Sequence, residues 1–388
     1  MNIEFTEEQQ AIRDAVLKLC AQFDDAYWLK KDTEGGWPHE FHKAFADAGF
    51  LGIAMPKEFG GAGLGITESC IMTEAMSEAG GGGAAAACLN KYTYGLNPIA
   101  VFGTEAQKRR WIPPMIKGME KNCFAITEPN TGLNTLELKT RAKREGDHYV
   151  LDGTKIWTSS AQVADKMLIL VRTTPVEEVK KRIEGLSLFY TDLDRNRVEV
   201  RLIEKMGRKS VDSNMLFIDG LRVPVEDRIG EEGQGFKYVL HGMNPERCLV
   251  AAGAVGLGRL ALRKATEYAK QRIVFDRPIG QNQGIQHPLA ESWMELEAAR
   301  LMVYHAASLY DQRKPCGAQA NAAKYLAAEA CFKACTTAVM THGGMGYAKE
   351  YHVERYLRES FIPRIAPVSR ELILCHIAEK VLGLPKSY

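Results

Sequence analysis

The sequence lacks the signature motifs of several large classes of enzymes and binding proteins. It contains no GxGxxG after a predicted strand, no Walker phosphate loop, no HExxH pair and no GxSxG nucleophile motif. Its nine cysteines include no CxxC pair and no Cys/His cluster, and no two of its nine histidines are four residues apart. These absences argue against a Rossmann-type dinucleotide site, a zinc site and a serine-hydrolase site. We expect reduced, mostly buried thiols.

The sequence also has neither a strong charge of one sign nor a long apolar run. Fifty Lys and Arg residues are balanced by 48 Asp and Glu residues, which leaves a formal net charge of +2. This balance gives no electrostatic basis for binding nucleic acid or an anionic membrane. No apolar run is long enough to cross a bilayer, and the acidic, polar start is unlike a secretory signal or a transit peptide. We therefore predict a cytoplasmic protein without nucleic-acid or membrane partners.

The hydrophobic periodicity of the chain divides its 388 residues into three regions. Residues 1–120 are predicted to be an N-terminal α-helical domain, with capping boxes at Thr6 and Thr104. The helix after Thr104 should stop before Pro113. Residues 121–234 contain short β-rich runs and are predicted to form a mainly antiparallel middle β domain. Residues 235–388 return to helical spacing and predict a C-terminal four-helix bundle, which makes the chain an α+β multidomain protein.

Two turn and helix signals refine this prediction. Asp152-Gly153 is a favourable pair for a hairpin turn between two strands of the middle domain. Pro245 suits the first turn of a helix, and the residues after it predict one long helix as far as Phe275. Its small residues between Ala251 and Gly258 predict close contact with another helix or with a bulky, flat group.

The long helix carries an acid near one end and a cation near the other. Glu246 lies beside Arg247, and Arg272 precedes Phe275 at the far end. Such a helix could span an extended anionic ligand. An ordinary core helix with charged ends is the alternative, and this segment alone favours it.

Two stretches of the middle domain offer the functional groups that a flavin requires. In the loop Phe124 to Gly132, Thr127 can hydrogen-bond to pyrimidine heteroatoms. In the stretch Thr154 to Ser159, Trp157 can stack on a ring and Ser159 can donate to a ring nitrogen. The alternatives are an edge-strand tryptophan and an ordinary turn.

These stretches resemble the acyl-CoA dehydrogenase family over essentially the whole chain. Seven segments carry the resemblance in the family's order: GIAMPKEFGGAG (52–63), FGTEAQKRRWIP (102–113), FAITEPNTG (124–132), DGTKIWTSS (152–160), VPVEDRIGEEGQGF (223–236), YAKQRIVFDRPIGQNQGIQ (268–286) and HGGMGYAKEYHVERYLRE (342–359). The resemblance implies a helical, β and helical architecture that holds FAD between the β domain and the bundle. It also implies a homotetramer or dimer.

The resemblance also implies roles for individual residues. Cofactor contacts within one chain are expected from Phe124, Ile126, Thr127, Gly132, Leu133, Trp157, Ser159 and Ser369. A second set is expected to reach the FAD of a neighbouring subunit: Arg272, Phe275, Gln283, Gly343 and Gly344. Substrate contacts near the CoA part are expected from Asn244 and Arg247. Leu133 and Met340 replace polar residues that are common in the family.

By this resemblance the reaction is the α,β-dehydrogenation of an acyl-CoA thioester to a trans-2-enoyl-CoA. A carboxylate removes the α-proton, the β-carbon gives hydride to the flavin, and an electron-transfer flavoprotein takes the electrons. Many members carry the base in an Ile-Tyr-Glu-Gly-Thr motif, but residues 365–369 contain no acid. Members such as isovaleryl-CoA dehydrogenase supply it from the long helix, which makes Glu246 the predicted base. The alternative is that Glu246 merely pairs with Arg247 or caps the helix, in which case Glu371 is the next candidate.

Pro367 departs from the family pattern. The family polarises the thioester carbonyl partly through a backbone N–H at this position, and proline has none. Two rival functions therefore stay open: a flavin oxidase or monooxygenase of the same fold, and a catalytically degenerate acyl-CoA-binding protein.

Overall fold

The computed structural model describes residues 4–387 and contains a helical region, a β region and a second helical region, in that order. The first region has eight helices: α1 Glu7–Cys20, α2 Asp25–Glu34, α3 His39–Asp47, α4 Ile66–Met76, α5 Gly82–Leu89, α6 Lys91–Tyr94, α7 Asn97–Phe102 and α8 Glu105–Ile116. The capping boxes at Thr6 and Thr104 are confirmed, because each threonine hydroxyl accepts the N–H of the glutamine three residues later.

Helix α8 does not stop before Pro113, so that prediction was wrong. It continues through Pro113 and Pro114 to Ile116. Each proline removes one helical N–H donor, which costs stability in a helix interior. Both prolines lie near the end of α8, where Trp111, Ile112, Met115 and Ile116 are buried in the core. This packing holds the last turn in helical form.

The middle region is one mainly antiparallel sheet, as predicted. Its strands are β1 Asn122–Ala125, β2 Arg141–Glu145, β3 His148–Ser159, β4 Lys166–Arg172, β5 Leu186–Asp192, β6 Val198–Leu202, β7 Ser213–Pro224 and β8 Arg228–Ile229. The strand order is β6-β7-β3-β2-β4-β5-β8, and β1 adds to β4 in parallel. The β2–β4 pair is also parallel, and the other pairs are antiparallel.

Asp152-Gly153 is not a hairpin turn, which corrects a second prediction. Strand β3 runs straight through the pair, and its register on β7 shifts between Leu151 and Gly153. Gly153 has φ +152°, and a Cβ there would lie 2.5 Å from the Thr140 hydroxyl. The Asp152 carboxylate accepts the Gly220 N–H at 2.9 Å. The turn-forming residues here make a bulge in a long strand.

The C-terminal region is a helical bundle. Its elements are α9 Gly235–Gln271, β9 Ile273–Val274, β10 Arg277–Pro278, α10 Gln283–Asp311, α11 Gly317–His342, α12 Val353–Ser360, α13 Ile362–Ile365 and α14 Arg370–Lys380. Three helices are long, and the short helices α12 to α14 supply the rest of the bundle. Helix α9 begins ten residues before Pro245, so that proline lies in the helix interior rather than in its first turn. Helix α9 packs on α10, α11 and α4. Its small residues therefore mainly allow these helices to approach closely.

Contacts between distant parts of the chain join the two helical regions. The carboxylate of Asp311, at the end of α10, accepts the N–H groups of Ile66 and Thr67 at the start of α4, at 2.7 and 2.9 Å. On the other side of α4, Arg259 of α9 donates to Glu74. All nine cysteines are free and eight are buried, as predicted. In the described part of the chain, no helix is both long and apolar enough to span a membrane.

Candidate active site

A cavity of about 670 Å³ lies where the three regions meet. Helix α5 and the start of α6 line its inner end, α9 forms one side, and loops of the β sheet form the other. The segment from α13 to α14 lies along the remaining wall. Nine of the predicted site residues line it together: Phe124, Ile126, Thr127, Gly132, Leu133, Trp157, Ser159, Glu246 and Arg247.

Glu246 contributes a carboxylate to this cavity from helix α9. No group within residues 4–387 donates a hydrogen bond to it. Burial raises the pKa of Glu246 to about 7, while the positive charges of Arg247 and Lys324 act in the opposite direction. The side chain is partly accessible because it faces the cavity. This is the environment of a group that takes up or releases a proton near neutral pH.

A buried ion pair holds the loop that carries Ile126 and Thr127. The Lys155 ammonium lies 3.0 Å from the Glu128 carboxylate and also donates to the Ile126 carbonyl at 3.0 Å. The backbone N–H groups of Lys139 and Thr140 donate to the same carboxylate at 2.7 and 2.8 Å. Sequence reasoning missed this pair, although both charged residues stand inside the quoted motifs.

The end of strand β3 is placed against the same loop. The Ile156 N–H donates to the Thr127 carbonyl at 2.9 Å, so the two predicted flavin-binding stretches lie side by side. Trp157 has φ +59°, in the left-handed region, and its side chain is 56% exposed. A large aromatic side chain held in an uncommon backbone conformation at a cavity wall is a sign of a binding surface.

The end of the cavity beside Arg247 and α14 carries charged groups of both signs, because Arg247, Glu379 and Lys386 line it. The Arg247 guanidinium donates to the Asn244 side chain at 3.0 Å, which places Asn244 behind Arg247 and outside the lining. The buried Lys324 ammonium donates to the Val368 carbonyl at 2.5 Å, and burial lowers its pKa to about 8. His376 of α14 also lines the wall, and burial lowers its pKa. Arg247 is therefore the group at this end that is suited to an anionic part of a ligand.

The inner end of the cavity contains polar residues that sequence reasoning did not select. Asn90, Lys91, Arg208 and Glu359 line it beside the small residues of α5. Arg208 stands in the loop between β6 and β7 and has φ +54°. No sequence pattern joins these residues, because only the tertiary structure brings the loop to α5.

The remaining predicted site residues lie elsewhere. Five of them lie outside the cavity lining and are exposed at the opposite end of α9 and α11: Arg272, Phe275, Gln283, Gly343 and Gly344. The Phe275 side chain is 93% exposed. The Ser369 hydroxyl caps α14 by accepting the Leu372 N–H, and Ser369 is not in the lining. Glu371 is exposed and outside the lining, so the alternative base lies away from the cavity.

The sequence and the fold both match known proteins. Three family profiles cover the chain: the acyl-CoA dehydrogenase N-terminal domain at residues 6–119, the middle domain at 123–221 and the C-terminal domain at 233–382. The acyl-CoA dehydrogenase FadE12 of Mycobacterium tuberculosis strain H37Rv is 38% identical over 387 residues, with 99% of this chain and 98% of the relative covered.

Two solved structures have the same architecture. A glutaryl-coenzyme A dehydrogenase in complex with glutaryl-CoA superposes with a TM-score of 0.94 at 30% identity, covering 100% of this chain and 98% of the other. Butyryl-CoA dehydrogenase from Megasphaera elsdenii gives a TM-score of 0.93 at 29% identity, covering 98% and 100%. The chain therefore belongs to the acyl-CoA dehydrogenase family, whose members are FAD-dependent oxidoreductases that act on CH–CH bonds.

Proposed function

We propose that this protein catalyses the FAD-dependent α,β-dehydrogenation of an acyl-CoA thioester to a trans-2-enoyl-CoA, with Glu246 as the base. The observation that carries this proposal is the Glu246 carboxylate, which has no hydrogen-bond donor among residues 4–387 and faces a cavity lined by the two flavin-type stretches. Three acids line the cavity: Glu246, Glu359 and Glu379. Glu359 accepts the Gly83 N–H at 2.7 Å, and Glu379 lies near the end of α14. Glu246 combines the lack of a hydrogen-bond donor among residues 4–387 with a pKa that burial raises to about 7, which is why we assign it as the base.

The cavity residues fit a flavin. Ile126, Thr127, Gly132 and Trp157 line one wall, and the space next to Gly132 is open, since no atom lies within 4 Å of where its Cβ would stand. Trp157 offers an exposed ring for stacking, and Ser159 offers a hydroxyl. FAD, when bound, supplies the hydride acceptor for the substrate's β-carbon. Leu133 stands at the rim of the same wall.

Glu246 removes the α-proton of the thioester in this proposal. A carboxylate with a pKa near 7 is ionised in a large fraction of molecules at neutral pH and is more basic than an exposed glutamate. Closure of the cavity around a substrate removes water and strengthens the electrostatic interactions inside it. The reaction needs the ionised form of Glu246, so kcat/KM rises with pH through this pKa.

Polarisation of the thioester carbonyl requires a donor other than residue 367. Pro367 and Val368 both line the cavity, and within residues 4–387 nothing accepts the Val368 N–H. Lys324 holds this segment through the Val368 carbonyl. We assign the missing donor to the Val368 N–H, one residue beyond the proline.

The other parts of the proposal concern partners. Arg247 with Asn244 contacts the CoA part, and an electron-transfer flavoprotein accepts the electrons. The chain acts in the cytoplasm in acyl-CoA catabolism as a homotetramer or dimer, in which Arg272, Phe275, Gln283, Gly343 and Gly344 reach the neighbouring FAD. Ser369 stays a predicted cofactor contact. The proposed domain limits are 1–120, 121–234 and 235–388.

Glu246→Gln tests the proposal directly. The variant is expected to keep its yellow flavin but to bleach anaerobically with acyl-CoA about 10²- to 10⁴-fold more slowly, which is the contribution of a positioned base. Glu371→Gln, which alters the exposed carboxyl, is the matched control and should bleach normally. Normal bleaching by Glu246→Gln would refute its assignment as base. Rapid reoxidation of the reduced wild-type flavin by air would indicate an oxidase instead.

A further inference from the structure

The inner end of the cavity has charged residues beside small apolar ones. Lys91 and Glu359 are only 4% and 2% exposed, and both line the cavity together with Arg208. A saturated acyl chain is stabilised by apolar walls, whereas contact with a guanidinium would strip water from a charge without replacing it. An acyl chain that ends in a methyl group would therefore leave the Arg208 guanidinium beside it without a partner.

Arg208 is the cation available to a ligand. Within the described residues 4–387 its guanidinium makes no hydrogen bond and no ion pair, although it has five donors. Burial lowers the pKa of Arg208, and the nearby Glu359 acts in the opposite direction. Arginine keeps its charge under such conditions. Arg208 is half-buried, and such a cation requires an anion when a ligand displaces the water around it.

The Glu359 carboxylate does not pair with Arg208, because both of its oxygens have other partners. One of its oxygens accepts the Gly83 N–H at 2.7 Å, and the other lies 3.4 Å from the Arg355 guanidinium. Lys91 does not supply a second cation to the cavity, because its buried ammonium lies 4.3 Å from the ring centroid of Trp37, which is outside the lining. Arg208 is thus the cationic group that this end presents to a ligand.

The absence of a side chain at Gly83 leaves space for the Arg208 side chain. A Cβ at Gly83 of α5 would lie 3.2 Å from the Glu359 carboxylate and 3.6 Å from the Arg208 Cδ. Glu246, Tyr94 and Arg208 all line the same cavity. The proposed base and the guanidinium therefore face one continuous space.

We propose that the acyl group taken by this protein ends in a carboxylate, which Arg208 binds while the thioester lies at Glu246. The substrate is then the CoA monothioester of a dicarboxylic acid. A carboxylate can accept two parallel N–H donors from one guanidinium, which fixes the chain end as well as neutralising the charge. This inference rests on the proposed function for the position of the thioester.

Binding of CoA thioethers to the FAD-loaded protein tests the inference. These analogues lack the thioester carbonyl and cannot be oxidised, so calorimetric titration measures affinity alone. Pairs of equal chain length, one ending in a carboxylate and one in a methyl group, are compared over a series of lengths. At the best length we expect the carboxylate analogue to bind about 10- to 100-fold more tightly, the range for a hydrogen bond to a charged group.

Three variants make the comparison specific. Arg208→Met should remove the preference, and Arg208→Lys should retain part of it, because the ammonium keeps the charge without the bidentate geometry. Arg201→Met removes an exposed guanidinium from the preceding strand β6 and should leave the preference intact.

The outcomes separate the two proposals. Equal affinities at every length, or an unchanged preference in Arg208→Met, would overturn this inference. Loss of bound FAD from both Arg208 variants would also overturn it, because Arg208 would then contact the cofactor. A carboxylate preference without any bleaching by the matching thioester would leave the inference standing and refute the dehydrogenation.

Discussion

At the scale of single residues, the pKa of Glu246 connects stability with catalysis. An ordinary glutamate ionises near pH 4.5, whereas burial raises the pKa of this carboxyl to about 7 in the folded protein. Between these two values the folded state keeps a proton that the unfolded state has lost. Rising pH therefore favours unfolding over this interval, and the stabilisation present below pH 4.5 is gone above pH 7. The base is accommodated at a cost in stability.

This cost predicts a pH-dependent gain in the Glu246→Gln variant. Glutamine does not ionise, so the variant's free energy of unfolding should exceed that of wild type increasingly as pH rises. We expect the difference to widen by about 2 to 3 kcal/mol between pH 5 and pH 8, since a tenfold change in a protonation equilibrium is worth about 1.4 kcal/mol. Denaturant unfolding of the FAD-loaded proteins measures it. A constant difference across this range would show that Glu246 is not buried as described.

At the scale of elements, the Glu128–Lys155 pair joins the loop after β1 to strand β3. Both charged groups are almost completely buried. Each therefore needs its oppositely charged partner, and loss of one partner would strongly destabilise the folded state. The loop carries Ile126 and Thr127, and the strand carries Trp157 and Ser159. The pair therefore sets the distance between the two stretches to which we assign the flavin.

Lys155→Met should be strongly destabilising. The substitution leaves the Glu128 carboxylate buried without its cation, which costs roughly 3 to 5 kcal/mol of unfolding free energy, and it should weaken retention of FAD. Thermal unfolding and the flavin absorbance after gel filtration measure the two effects. Adding Glu128→Gln should restore part of the stability. Lys43→Met breaks an exposed pair with Asp47 and should cost less than about 1 kcal/mol. Similar losses from both lysines would contradict the role of burial.

The same scale shows what the sequence could and could not predict. Capping boxes act within one turn of helix, so Thr6 and Thr104 were sufficient to locate the starts of α1 and α8. The effects of Pro113 and Gly153 depend on partners outside their own element, and the local prediction failed at both. Motifs identified nine residues of the cavity, but Arg208 reaches it from a loop whose position depends on the whole sheet. A tertiary contact of this kind has no local signal.

At the scale of the whole molecule, exposed apolar side chains gather at the end of the bundle away from the cavity. Phe275 is 93% exposed, Met340 73% and Tyr347 89%. Large apolar surfaces of this kind mark contact sites. Arg272, Gln283, Gly343 and Gly344 share this end. The proposed oligomer would cover it.

Phe275→Asp should shift the protein to a smaller species. A charge at the centre of an apolar contact leaves an unpaired carboxylate in the interface, so we expect dissociation and a lower FAD content. Light scattering after gel filtration measures the mass, and flavin absorbance measures the cofactor. Met119→Asp places the same charge at another exposed apolar position, in the N-terminal region, and should leave the mass unchanged. An unchanged mass in Phe275→Asp would refute the assignment of this surface.

The bond between Asp311 and the first turn of α4 has a consequence for the order of events during synthesis. The N–H groups of Ile66 and Thr67 obtain their acceptor from a residue about 245 positions further along the chain. Synthesis proceeds from the amino terminus, so α4 is made long before this acceptor exists. The first turn of α4 therefore gains these two hydrogen bonds only after Asp311 has left the ribosome.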